Sequence, residues 1–222
     1  MSVTQNIQNI RSQIPENVQL ICVTKFHSDE LIMEAYHVGE KTFGESRVQE
    51  FLPKRERLPQ DIHWHFIGHL QTNKVKYLIP GVDLIHGVDS IKLLETIDKQ
   101  AQKSDCVVNC LLQVHIADEQ TKFGFSPDEL TTLFETDFLK AYPNVNVCGL
   151  MGMATFTDDH NQVRKEFRSL KKLFDTIRQN YQSDNPNFKE LSMGMSDDYQ
   201  IAIEEGSTMI RVGTLIFGER EY

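Results

Sequence analysis

Leu20-Ile21-Cys22-Val23-Thr24-Lys25 decides the fold: an apolar run too short for a helix stops on a lysine and gives way to Phe26-His27-Ser28-Asp29. Read as a buried strand, the run sets one ammonium at the strand's C-terminal tip. Poor solvation there favours loss of its proton, and a lysine so placed suits Schiff-base chemistry. The plainer alternative is a lysine that only marks the strand's exit to solvent. This stretch alone leaves both readings open.

Outward from that strand, taken as 18–24, the chain alternates. A polar lead-in helix is expected over 3–13, ended by Pro15. Ser28 has the character of an N-cap, with Leu31, Ile32, Ala35 and Tyr36 at helical spacing and Gly39 closing the helix. Strands are then expected at 42–44, 63–68, 83–86 and 107–115, with helices over 47–57, 70–79 and from Asp89 or Ser90 to 103. Ser126-Pro127-Asp128-Glu129 combines a cap, a first-turn proline and two acids, a strong helix start. A sixth strand follows at 145–150. The longest helix, 161–180, carries Val163, Phe167, Leu170, Leu173, Phe174 and Ile177 at helical spacing. A brief seventh strand at 189–192, a short helix over 196–203 capped by Ser196 and an eighth strand at 208–212 complete the series. Eight strand–helix units with short connections suggest one closed (β/α)8 TIM barrel over residues 1–222. An open doubly wound sheet is the alternative, but no GxGxxG turn follows the first strand.

Composition narrows the function classes. With 23 basic and 32 acidic residues the net charge is −9, which argues against a nucleic-acid or anionic-membrane surface as the main partner. The start of the chain shows no basic, apolar leader, and no apolar run reaches the length of a membrane span. Cys22, Cys106, Cys110 and Cys148 lie within or beside aliphatic runs, as buried thiols in a reducing compartment do. A cytoplasmic location is expected.

In such barrels the chemistry sits at the C-terminal strand ends. Those ends present Lys25, Ser46, Gly68, His86, His115, Met151, the 192–196 stretch and Gly213-Thr214. Alternation along each strand adds direction. Lys25 is in phase with Ile21 and Val23; Asn109, Gln113 and His115 share one phase of the fifth strand; Met209, Arg211 and Gly213 share one phase of the eighth. If these phases face the interior, closure makes Lys25 and Arg211 neighbours, and two cations in one space depress the lysine's pKa further. Ser192-Met193-Gly194-Met195-Ser196-Asp197-Asp198, with Gly213-Thr214 and Gly218, lies where barrels hold phosphate, after strands seven and eight. Against that, Ser196 serves equally as a helix cap, and Asp197 and Asp198 disfavour an anion. His63-x-His65 with His86 and His115 could ligate a metal as in barrel hydrolases, but the pair lies too deep on its strand. His69 and His27 read as polar loop residues.

Longer motifs carry a resemblance. They are Val23-Thr24-Lys25, Phe43-Gly44-Glu45-Ser46-Arg47-Val48-Gln49-Glu50, His65-Phe66-Ile67-Gly68-His69-Leu70-Gln71-Thr72-Asn73-Lys74, Lys122-Phe123-Gly124, Gly149-Leu150-Met151, the 192–198 stretch and residues 206–214. Together they resemble the pyridoxal-phosphate homeostasis protein family, single-domain relatives of the alanine racemase N-terminal barrel. The resemblance implies that Lys25 carries pyridoxal 5′-phosphate as an internal aldimine. It also implies that Ser196, Gly213 and Thr214 hold the phosphate, that Arg211 faces the pyridine nitrogen, and that Ser46 and Met151 lie at the pocket. Three places depart from the family pattern: Ser46 stands for an asparagine, His69 for a proline, and Gln113-Val114-His115 for a Gln-hydrophobic-Asn run.

An arginine cannot take the ring proton, so the ring is a weak electron sink. Racemases with this arginine add a tyrosine from a C-terminal β-domain, for which a chain ending at Tyr222 leaves no room. The expectation is therefore a monomeric holder of the cofactor, with apoenzymes as possible recipients and without robust catalysis. A slow, racemase-like enzyme acting on amino acids is the alternative, followed by the metal-dependent hydrolase.

Overall fold

The computed structural model describes residues 2–118 and 123–219. Lys122 and Tyr222 lie outside the described residues. Helix α1 (Val3–Arg11) leads into β1 (Gln19–Val23), α2 (Asp29–His37), β2 (Thr42–Glu45) and α3 (Val48–Arg57). Next come β3 (His63–Phe66), a 3-10 turn (Thr72–Lys74), α4 (Val75–Leu78), β4 (Leu84–Val88), α5 (Ile91–Lys103) and β5 (Val108–Gln113). Then follow α6 (Pro127–Glu135), a second 3-10 turn (Phe138–Ala141), β6 (Val145–Met151) and α7 (His160–Asn180). The series ends with β7 (Glu190–Ser192), α8 (Tyr199–Glu204), β8 (Met209–Val212) and α9 (Thr214–Phe217).

The strands run parallel in the order β1 to β8, and β8 closes on β1 with Ile21 paired to Arg211. This is the expected (β/α)8 TIM barrel. Two apolar systems follow from alternation along the strands. Ile21, Leu84, Leu111, Met151 and Met209 fill the barrel interior. The opposite phase, including Leu20, Cys22, Cys110, Leu112, Ile210 and Val212, packs under the helices. Glycine lets the interior close: a Cβ on Gly44 would come within 2.9 Å of Ile21 Cγ2.

Local chemistry accounts for the element ends. Ser126 and Glu129 form a reciprocal capping box, and Ser90 accepts the Leu93 amide. The helix expected over 70–79 shrinks to the Thr72–Lys74 turn and one turn of α4, because Ile79 precedes Pro80 and is held extended. The long fifth strand ends at Gln113, beyond which Val114 makes only an isolated bridge to Phe125.

The short helix after β7 also differs from expectation. It begins at Tyr199, with Asp198 rather than Ser196 in the cap position. Asp198 Oδ1 accepts the Met195 amide at 2.6 Å and closes a turn that carries Ser196 outside the helix. The cap role expected of Ser196 therefore falls away.

Candidate functional site

Strand alternation aims Val23 and Lys25 into the barrel mouth, following Ile21 in the interior layer. The same phase on β8 delivers Met209 to the interior and Arg211 above it, beside β1. One cavity of about 600 Å³ at this end is lined by Lys25, Ser46, Ser196, Arg211, Gly213 and Thr214, among others. Six of the seven site residues expected from the sequence thus meet in one space. Met151 is placed elsewhere: it is buried one layer lower, against the apolar interior.

Arg211 is buried, and desolvation lowers its pKa to about 10, so it stays cationic at neutral pH. Its Nη1 donates to Ser192 Oγ at 2.6 Å and its Nη2 to the Gly152 carbonyl at 3.2 Å. Three of its five N–H donors remain for other acceptors. Below it, Ser192 Oγ lies 2.9 Å from His86 Nδ1, and His86 Nε2 lies 3.0 Å from His65 Nδ1. Burial is the first cause that keeps both rings neutral: it lowers His65 to about 4 and His86 well below its ordinary value. A guanidinium can only donate, so Ser192 Oγ accepts from it and its hydroxyl hydrogen is directed to His86 Nδ1 as a hydrogen bond. We therefore assign His86 as the Nε2–H tautomer, donating to His65. The two histidines are occupied with each other. Among the described residues no group of three or more His, Cys, Asp or Glu side chains is placed to hold a metal ion.

The mouth contains residues that the sequence did not mark for the pocket. His69 lines it, pairing with Asp89 at 3.0 Å and stacking on Phe123 with ring centroids 4.2 Å apart. Arg47 lines it too, 4.2 Å above the Phe26 ring. Asp197 is the carboxylate of the lining, set against the cations Lys25, Arg47 and Arg211. Thr214 opens α9, whose first amides have no acceptor within the helix. A lysine amine, a buried guanidinium with donors to spare, three hydroxyls and these amides form a donor set suited to an anionic phosphate ester bearing an electrophilic carbon.

The fold and cavity define a class: a parallel (β/α)8 barrel with an inward lysine at the end of its first strand and, lining the same cavity, an arginine on its last. Residues 2–221 match the family described as alanine racemase, N-terminal domain. A pyridoxal phosphate homeostasis protein of Aquifex aeolicus is 46% identical over 205 residues, covering 92% of this chain and 88% of that protein. Its counterpart in Vibrio alginolyticus is 37% identical over 236 residues, covering 100% of this chain and 99% of that protein. PipY of Synechococcus elongatus PCC7942 without PLP superposes with a TM-score of 0.91 at 36% identity, covering 98% of this chain and 100% of that one. The same protein with PLP bound gives 0.87 at 35% identity, with the same coverage. An alanine racemase of Clostridium difficile 630, 16% identical with a TM-score of 0.77, shares the fold over 56% of its own length. The chain belongs to the alanine racemase N-terminal-domain family and, within it, to the pyridoxal phosphate homeostasis proteins.

Proposed function

We propose that the cavity holds pyridoxal 5′-phosphate and that the protein stores this reactive aldehyde and hands it on to apoenzymes, as a monomer in the cytoplasm. The observation that carries the reading is the convergence of Lys25, Arg211, Ser196 and Thr214 on one cavity. The relatives named for pyridoxal phosphate homeostasis and the PLP-bound form of PipY support it. When bound, the cofactor supplies an aldehyde carbon conjugated to a pyridine ring.

The chain's own residues then divide the work. Lys25 offers its amine to that carbon. Ser196, Thr214 and the first amides of α9 bind the phosphate, with Gly213 letting the backbone run close to Val23. Arg211 donates to the ring nitrogen and, keeping its own proton, leaves that nitrogen unprotonated. Ser46 and Arg47 close one wall, and Met151 supports the floor from below. Such a site holds the ring and phosphate without drawing electrons strongly from the substrate carbon, which favours holding over turnover.

The test is the visible spectrum together with intact mass after borohydride reduction. Protein loaded with pyridoxal 5′-phosphate gains one reducible, then permanent, increment on Lys25, and Lys25→Ala abolishes both band and increment. Robust amino-acid turnover with exchange of the α-proton would replace the holder with an enzyme.

A further inference from the structure

The same strand end that aims Lys25 inward carries a second polar system on its outer face. Thr24 and Glu45 alternate with the inward residues and point under α3. There Glu45 is fully buried and Lys54, on α3, is 5% exposed. Lys54 Nζ lies 2.5 Å from Glu45 Oε1 and 3.2 Å from Glu50 Oε2, and it donates to the Thr24 carbonyl at 2.7 Å. Glu45 accepts the Thr24 hydroxyl at 2.8 Å and, through its other oxygen, the Ser46 amide at 3.0 Å. Glu50 Oε2 accepts the Phe26 amide at 2.8 Å.

The cluster therefore grips the backbone immediately before Lys25 and immediately after it, together with the Ser46 wall of the cavity. The grip after Lys25 works against strain, because Phe26 has φ +67°, a left-handed conformation that a non-glycine residue adopts only when held there. A buried charge pair is weak evidence of a packing role, since apolar residues of similar volume often serve stability as well. Its bonds go to the segment that carries Lys25.

We infer that Glu45, Lys54 and Glu50 are positioning residues for Lys25, with Glu50 locking the Phe26 turn so that the lysine amine meets the aldehyde carbon. This rests on the reading above that Lys25 binds that carbon. In the step concerned the neutral amine adds to the carbonyl, a carbon–nitrogen double bond replaces the carbon–oxygen one, and the oxygen leaves as water; no oxidant or reductant takes part. Releasing the turn lowers the fraction of protein in which the amine is aimed, and apparent affinity falls by the same fraction.

Lys54→Met would strand a buried carboxylate and risk the fold, so the partly exposed Glu50 is the place to cut. Glu50→Ala removes the acceptor, while Glu50→Gln removes the charge and keeps an oxygen for the Phe26 amide. Each variant is titrated with pyridoxal 5′-phosphate and with pyridoxine 5′-phosphate, which has the ring and phosphate but no aldehyde. For Glu50→Ala we expect pyridoxal 5′-phosphate affinity to fall about tenfold, and borohydride trapping at Lys25 to slow, while pyridoxine 5′-phosphate affinity holds. Glu50→Gln should restore trapping. Loss of both ligands together, including through unfolding, overturns the inference, as does equal impairment of both variants or a Glu50→Ala variant that traps like wild type. Wild-type protein that forms no borohydride-stable increment refutes instead the underlying reading.

Discussion

The neutral histidine pair makes a measurable demand on stability as the pH falls. An unfolded histidine titrates near 6.5, whereas burial holds His65 at about 4 in the fold. Between those values the unfolded chain binds a proton that the native chain refuses, so stability drops as the pH falls and levels off once His65 itself charges. Linkage from these two values gives a loss of about 2 kcal/mol between pH 7 and pH 5, and about 3 kcal/mol by pH 4. His86 acts in the same direction, since burial, His65 and Arg211 all lower it. The comparison that isolates His65 is urea unfolding of wild type and His65→Gln at pH 7 and pH 5. Glutamine keeps an acceptor for His86 and cannot titrate. The variant starts less stable at pH 7, but its loss on going to pH 5 should be smaller than wild type's by about 2 kcal/mol, roughly 4–8 °C in Tm for a chain of this size. Equal losses in the two proteins would mean that His65 takes its proton in the native state near pH 6.5, and the buried neutral column would be refuted.

Two further substitutions probe the barrel. At Gly149, with φ +151°, a Cβ would fall 1.8 Å from the Glu190 carbonyl oxygen across β6 and β7; Gly149→Ala should cost about 3 kcal/mol or more in urea-derived stability, by overpacking and by strain. Ser192→Ala removes the acceptor of Arg211 Nη1 and separates it from His86. It should cost about 1–3 kcal/mol in thermal unfolding and weaken pyridoxal 5′-phosphate and pyridoxine 5′-phosphate alike, in contrast to the Glu50 variants.

How much of this was legible depends on which signals survive in one dimension. The alternation of apolar runs with helical spacing yields the barrel, and period-two phase puts Lys25 and Arg211 on the inner face of neighbouring strands, because both are properties of single elements plus closure; the register then sets Arg211 level with Ile21, four residues below Lys25. The column below Arg211 needed register as well. His65 is paired with Leu84, so His86 stands two residues further up β4 on the same inward face, and only that offset shows the two rings within hydrogen-bond distance of each other. The Glu45–Lys54 pair was hidden for a different reason. Glu50 and Lys54 have an obvious helical spacing, but a surface pair is the ordinary meaning of such spacing. Only the packing of α3 on β2 puts Lys54 inside. Met151 is inward as alternation requires, but it packs in the apolar interior cluster, and depth along the barrel axis is not carried by phase. His69 was read as a loop residue, which it is, but the loop folds over the mouth.

The two polar systems lie on opposite faces of one sheet and differ in how their charge is balanced. Outside, Lys54 is met by two carboxylates, Glu45 and Glu50, and Arg47 lies 4.0 Å from Glu50, so the buried ammonium behind Lys25 has full counter-charge. Inside, Arg211 is met by a hydroxyl, a carbonyl and, through Ser192, two neutral rings, with Asp198 as the charge that raises its pKa. Dipoles take two of its five N–H donors but do not cancel its charge, and burial makes that residual charge costly. A ligand that brings negative charge or an unshared electron pair to the mouth relieves this cost, whereas a neutral hydrocarbon of the same shape does not. On the proposed function, selectivity for a phosphorylated pyridine would therefore begin with Arg211 and the neutrality of the histidines beneath it, before any bond to Lys25.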